Sequence, residues 1–306
     1  MRAVVLGGTG GVWTVRTDAG ETHAAALRGR LKQEGKSKLA VGDHVTVERD
    51  VRGDAWAITR IHERRSALSR RAPGGARRER IVAANVDQVV VVFAMAKPEP
   101  HVRMLDRFLV IAEGNGLAAR VVLNKVELSA TADVDALAAP YEAAGYPVHR
   151  TSVKQQIGLE ALHDALAGSV SAFTGPSGVG KSSLLNALFH GLDLRTGEIS
   201  ESVNKGRHTT VGAVLVPLDD AAGGYVVDTP GLREVGLWGL PPEHLDHCFP
   251  EFRPYLGKCR FQDCAHDSEP GCAVRDAASS GGISAARYES YLKLRAETPD
   301  PAKHWE

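Results

Sequence analysis

Residues Gly175–Ser183 read GPSGVGKSS, and Gly175, Gly180, Lys181 and Ser182 occupy the fixed places of G-x-x-x-x-G-K-[ST]. The run follows an apolar strand pattern, Val170–Phe173, and leads into the helical pattern KSSLLNALF. That context separates a phosphate loop from a chance glycine-rich turn. Gly175, Pro176, Ser177, Gly178, Val179 and Gly180 form the cradle, and the glycines let backbone N–H groups close around phosphate oxygens. Lys181, Ser182 and Ser183 open the helix, whose N-terminus adds partial positive charge. Lys181 is the candidate catalytic lysine for β- and γ-phosphates, and the Ser182 hydroxyl is a candidate Mg²⁺ ligand.

DTPG at Asp228–Gly231 follows a second strand pattern, Tyr225–Val227. An acid at a strand end can hold hydrated Mg²⁺ (Asp228), and the Gly231 N–H can reach a γ-phosphate. The segment GRHTT, Gly206–Thr210, lies between these two motifs. Thr209 or Thr210 is then a candidate Mg²⁺ ligand in the triphosphate state, on a loop that loosens after hydrolysis; a polar surface loop is the alternative. NKVE at Asn124–Glu127 resembles the N-K-x-D base motif of GTPases, whose carboxylate accepts from N1–H and the exocyclic amine of guanine. Adenine has no N1–H, and buried complementarity of this kind discriminates by on the order of 10⁴-fold. Glu127 is one methylene longer than Asp, which leaves ATP use open as an alternative. Ser152 and Val153, after the strand pattern Pro147–Arg150, are candidates for the loop that backs the base. The residue after DTPG is Leu232, which cannot orient water as a Gln does in Ras-like enzymes. His208, on the GRHTT loop, is the candidate to do so; a surface loop histidine is the bland reading.

A second chemistry is written near the C-terminus. Cys259, Cys264, His266 and Cys272 give C-x₄-C-x-H-x₅-C. Three thiolates and an imidazole suit a closed, structural zinc site with no open position. Cys248, eleven residues before Cys259, is not needed and reads as core.

The elements that must position these groups fall into regions. The chain has 306 residues, which suggests about two domains, and 43% hydrophobic with 24% charged residues is an ordinary globular composition. Four cysteines exclude a disulfide scaffold. No apolar run reaches the roughly 18–20 residues that span a bilayer. A cytoplasmic protein without a membrane segment is expected. Residues 1–80 carry a net charge of +8 and residues 81–306 a net of −8, with eight arginines between Arg60 and Arg80. Such a block is either a solvated face or a phosphate-backbone contact surface.

Strand patterns at Val12–Arg16, Thr22–Leu27, His44–Arg49 and Trp56–Ile61 predict a small closed barrel over residues 1–70, with an OB-fold favoured over an SH3-like barrel. Val4–Gly11, VVLGGTGG, fails the dinucleotide fingerprint and reads as a turn. Residues 71–80 read as a basic linker. Over 81–240, Val-rich strands alternate with helices at Val102–Asn115, Ala132–Ala144, Leu159–Leu166 and Lys181–Phe189, predicting a parallel α/β sheet. Residues 241–306 hold the Cys/His cluster, then a helix over Ser284–Glu297 that packs a core stripe.

The base motif precedes the phosphate loop, which precedes DTPG, so the order is circularly permuted. Basic barrel, permuted P-loop domain and Cys/His tail together resemble the RsgA (YjeQ) family of bacterial small-subunit-dependent GTPases. The likeness covers essentially the whole chain and is carried by Val41-Gly42-Asp43, NKVE, GPSGVGKSS, GRHTT, DTPG and the metal cluster. It departs at Glu127 for Asp, Val153 for Ala and Val211 for a frequent third Thr. The resemblance implies a multidomain chain: an OB-fold barrel, a permuted GTPase domain and a small α-helical zinc domain. It also implies GTP hydrolysis to GDP and phosphate, ribosome-stimulated, late in 30S assembly, with 16S rRNA contact, one zinc and Mg²⁺ with GTP. A monomer is expected. Two other readings stay open: a nucleotide-occupancy switch on RNA with little hydrolysis, and an ATP-using P-loop enzyme.

Overall fold

The computed structural model describes residues 1–29, 39–49, 55–71, 79–189, 213–218, 223–228 and 244–297. His208, Thr209, Thr210, Gly231 and Leu232 lie outside the described residues. The chain divides into two compact units. The first comprises Met1–Val89, His163–Phe173 and Ser182–Arg233, and the second Val90–Leu162, Thr174–Lys181 and Glu234–Glu306.

In the first unit, β1 (Arg2–Thr9), β2 (Val12–Thr17), β3 (Thr22–Leu27), β4 (His44–Arg49) and β5 (Trp56–Ile61) close a barrel in the order β1-β2-β3-β5-β4. β1 pairs antiparallel with both β2 and β4, and β3 pairs parallel with β5. This closed five-strand Greek-key arrangement removes every free edge, as an OB-fold barrel does. Alternation writes the interior: Ala3, Val5, Val15, Ala25, Val45, Val47 and Ile58 point inward and are buried.

β1 corrects the turn reading of Val4–Gly11. The segment is strand through Thr9, bulged between Val5 and Gly7, and only Gly10-Gly11 makes the hairpin turn. Gly8 faces Trp13 across the pair, where an added Cβ would stand 2.3 Å from the indole ring. The glycine makes room for a neighbouring ring, which sequence alone does not reveal.

The flanks of the predicted linker are also strand. β6 (Ala67–Arg71) and β7 (Glu79–Ala84) form an antiparallel ribbon, bridged to the barrel's turn at Val41↔Ala83. That turn is Val41-Gly42-Asp43. Fully buried Asp43 accepts from Arg64 Nε at 2.6 Å and Nη2 at 2.8 Å, and from Ala40 N at 2.8 Å. Asn85 Nδ2 donates to Gly42 O at 2.8 Å. The motif ties barrel to ribbon.

Six further strands are divided between the two units: β8 (Gln88–Ala94), β9 (Ala118–Asn124) and β10 (Val148–Thr151) stand in the order β10-β9-β8, and β11 (Val170–Thr174), β12 (Val214–Pro217) and β13 (Tyr225–Asp228) in the order β11-β13-β12. In the first unit β11 and β13 are parallel, with Phe173 opposite Asp228. β12 is antiparallel to β13, so the sheet is mixed where a parallel one is predicted.

In the second unit β9 and β10 are parallel, and every residue of β8 is buried, as a strand covered on both faces requires. Helices α1 (Val102–Gly114) and α2 (Thr131–Ala143) follow β8 and β9. Helix α3 (Leu159–Leu166), whose residues fall partly in each unit, precedes β11, and α4 (Lys181–Leu188) follows the loop after β11. The tail, within the second unit, carries two short 3₁₀ turns at Asp246–Cys248 and Pro250–Phe252, then α5 (Ala273–Ser279) and α6 (Ala285–Glu297). Its core gathers Leu245, Cys248, Phe249, Phe252, Val274, Tyr291 and Leu294 with Val110 of α1. Cys248 is core, as its sequence position suggests, and burial pushes its thiol up to about 12. Arg287 of α6 is buried and donates to Asp106 of α1 at 2.6 Å and to Glu251 at 2.7 Å, with its guanidinium 4.7 Å from the Phe249 ring centre. Removing one partner of such a buried group costs about 3–5 kcal/mol, so the triad fixes the tail on α1.

Candidate nucleotide site and metal centre

The phosphate loop begins where β11 ends at Thr174 and stops where α4 starts at Lys181. Ser177 and Gly178 are exposed at its tip, while Val179 is buried and anchors it. Lys181 is buried, and its ammonium turns back to donate to Gly175 O at 2.8 Å and Pro176 O at 2.7 Å. Ser182 is buried at the first turn of α4. An ammonium held inside a ring of backbone groups at a helix start suits an incoming polyanion.

Asn124 closes β9 and is 2% exposed. Its Nδ2 donates to Val179 O at 2.9 Å, and its Oδ1 accepts from the Thr151 hydroxyl at 3.1 Å. One side chain therefore joins the base motif, the phosphate loop and the end of β10. Lys125, left-handed at φ 59°, donates from Nζ to Gly178 O at 2.7 Å and Lys97 O at 2.6 Å. Gly180 sits at φ +95°, and an added Cβ would stand 2.6 Å from Asn124 Nδ2. So the residues near 124 and those near 180 pack as one surface, despite their separation and reversed order in the chain.

Glu127 lies in the 3₁₀ turn Val126–Leu128 just beyond. Its Oε2 is buried and has no hydrogen-bond partner. A buried carboxylate oxygen without a donor is costly, and it marks where a donor belongs. The N1–H and amine of guanine are such donors, so the residues fit the base. Ser152 is fully buried, and its Oγ accepts from Gln155 N at 3.0 Å while its backbone bridges Ile157. Val153 O accepts from Gln156 Nε2 at 2.8 Å, so the loop after β10 is held by its own hydrogen bonds. Asp228 ends β13 opposite Phe173, two residues before Gly175. Sequence reading missed Lys97 O, since a backbone acceptor leaves no motif.

Cys259, Cys264, His266 and Cys272 converge, their ligand atoms all within 4.8 Å of one another. Cys259 Sγ lies 4.0 Å from Cys272 Sγ, and His266 Nδ1 lies 3.5 Å and 3.4 Å from those sulfurs. Tetrahedral zinc with Zn–S of about 2.3 Å and Zn–N of about 2.0 Å requires ~3.8 Å between sulfurs and ~3.5 Å from sulfur to nitrogen. The donor set and its spacing fit that ion. Burial opposes charge on the Cys259 thiol, yet the Ala273 and Val274 amides and the neighbouring thiols hold it below its ordinary value. Burial likewise disfavours the His266 cation, but Asp246 and the Cys272 sulfur outweigh it and raise His266 to about 9. The loop is braced: Tyr288 OH donates to His266 O at 2.7 Å, Tyr291 OH to Ala265 O at 2.8 Å, and Glu269 accepts from Ala265 N at 2.8 Å.

Among the described residues no helix is long and apolar enough to cross a membrane. A family model described as RsgA GTPase matches residues 61–238. The chain is 62% identical over 297 residues to a small ribosomal subunit biogenesis GTPase RsgA of Gemmatimonas aurantiaca, covering 96% of each. It is 42% identical to the protein of the same name from Chromohalobacter salexigens, covering 92% of this chain and 82% of that one. Among solved structures it resembles YjeQ from Thermotoga maritima, with a TM-score of 0.80 at 37% identity over 97% of each chain. It also resembles YloQ, described as a circularly permuted GTPase, with a TM-score of 0.75 at 28% identity over 97% of this chain and 94% of that one.

Proposed function

Because this chain belongs to the RsgA GTPase family, we propose that it hydrolyses GTP to GDP and phosphate in late maturation of the small ribosomal subunit. The observation that carries the nucleotide reading is Asn124 and Lys125 donating to Val179 O and Gly178 O, which joins base motif to phosphate loop. The unpartnered Glu127 oxygen supports guanine as the base.

In this reading Asn124, Lys125, Glu127, Ser152 and Val153 hold the guanine. Gly175–Ser183 hold the phosphates. Lys181 releases its loop carbonyls and takes the β- and γ-phosphate charge, as phosphoryl transfer demands. Ser182 and Asp228, with Thr209 or Thr210, hold Mg²⁺, which when bound neutralises charge on the β- and γ-oxygens. Gly231 N–H faces the γ-phosphate, and His208 orients the attacking water once the ribosome has completed the site. Cys259, Cys264, His266 and Cys272 hold one structural zinc that stabilises a small tail core.

The basic barrel, residues 1–70, with the linker 71–80, contacts 16S rRNA through its net positive charge. Residues 81–240 form the GTPase domain and 241–306 the zinc domain. The protein acts as a monomer in the cytoplasm. GTP turnover titrated with purified small subunits at two salt concentrations tests this reading. Stimulation that weakens as salt rises is expected, and His208→Ala should abolish it while nucleotide affinity stays. Nucleotide binding without turnover under any condition would favour an occupancy switch, and ADP competing as well as GDP would favour an ATP-using enzyme.

A further inference from the structure

Asp246 belongs to none of the motifs legible in the chain, and it lies 13 residues before Cys259. The structure brings its carboxylate to the histidine of the metal cluster. Asp246 Oδ2 is 3.4 Å from His266 Nε2, while His266 Nδ1 faces Cys259 and Cys272. The other carboxylate oxygen, Oδ1, accepts from His247 N at 2.7 Å, so the acid is pinned to the turn Asp246–Cys248. Both side chains are largely withdrawn from solvent, at 5% exposure for His266 and 18% for Asp246.

We propose that Asp246 is a positioning residue that commits His266 to ligate through Nδ1. The inference rests on the zinc reading given above. An imidazole has two nitrogens, and the one that carries the proton cannot bind metal. A carboxylate at Nε2 takes that proton as a hydrogen bond, which leaves the Nδ1 lone pair facing the sulfurs. The His266 backbone is already held, left-handed at φ 59°, with its carbonyl bonded to Tyr288. Rotation of the ring about its own bond is what remains free. A half-turn would put a carbon where Nδ1 stands and remove the nitrogen from the set. The Asp246 contact is the one described hydrogen bond at Nε2 that opposes this.

The test uses the full-length zinc-loaded protein, with Asp246→Ala and Asp246→Asn beside it. Elemental analysis first counts zinc in the wild type. Competition with a chelating indicator then gives zinc affinity, and long-range ¹H–¹⁵N correlation spectra identify the protonated nitrogen of His266. The expected result is a proton on Nε2 and metal on Nδ1 in the wild type. Asp246→Ala should weaken zinc binding about 10- to 100-fold. Asp246→Asn keeps an acceptor and should recover part of that loss. Wild-type ligation through Nε2 overturns the proposal, whether or not Asp246→Ala folds, and so does equal affinity in all three proteins. Wild type that binds no zinc overturns the zinc reading and this proposal with it, whereas zinc bound through Nε2 overturns this proposal alone.

Discussion

Glu127→Gln separates a base-reading carboxylate from a structural one. The Glu127 Oε2 atom is buried without a partner. Hydrogen bonds to a charged group are worth about 1.5–3 kcal/mol each, and in the proposed reading guanine supplies two to this carboxylate. The amide keeps one neutral acceptor and turns an N–H₂ toward the guanine amine, so about 2–4 kcal/mol is lost. That corresponds to GDP binding weakened about 30- to 700-fold. The nucleotide-free protein moves the other way. A neutral amide is cheaper to leave buried and unpaired than a carboxylate, so stability should rise by about 1 kcal/mol, or about 2–4 °C in Tm. Titration calorimetry with GDP and thermal unfolding without nucleotide measure both. Lower affinity with higher stability is the signature of an acceptor kept unsatisfied for a ligand. Unchanged GDP affinity would refute the base-reading role, and a joint fall in affinity and stability would make Glu127 a structural residue.

Three further outcomes are expected. Gly180→Ala places a Cβ 2.6 Å from Asn124 Nδ2 at a φ of +95°; the strain of about 1–3 kcal/mol should weaken GDP binding about 5- to 150-fold in the same titration. Asp43→Ala removes a fully buried carboxylate that accepts from Arg64 and from Ala40 N; with 21% of the Arg64 side chain in solvent, the loss should fall near the lower end of the range for broken buried pairs, about 3 kcal/mol by urea unfolding. His149 is lowered to about 4 by burial and by Arg120, from an ordinary 6.5. The unfolded chain therefore takes up the proton first; this contribution to stability is full above pH 6.5 and drains away as pH falls towards 4. His149→Asn should flatten the stability profile in that window.

Where the sequence was informative, the signal was local. The phosphate loop and the metal cluster are runs of fixed spacing, and backbone geometry converts such spacing directly into a site. Barrel strands were legible because alternation survives in segments such as His44–Arg49, with Val45 and Val47 inward. β1 was not, because Gly8 is there to admit the Trp13 ring, and that requirement sits on another strand. Asn124 on Val179 spans 55 residues, and Asp246 on His266 spans 20. Neither pairing has a periodicity or a spacing rule, so both emerge only after folding. Val41-Gly42-Asp43 reads as a turn for the same reason: its partners, Arg64 and Asn85, are supplied from the ribbon side.

In the proposed function the base motif and the phosphate loop, written in permuted order, grip one guanine nucleotide. A crystal structure of the chain soaked or grown with GDP tests it most directly. Guanine N1 and its amine should lie within hydrogen-bond distance of the Glu127 carboxylate, with Asn124 and Lys125 against the base and the diphosphate inside Gly175–Lys181. A base bound away from Glu127 while the phosphates fill that loop, or GDP lodged elsewhere on the protein, would contradict it.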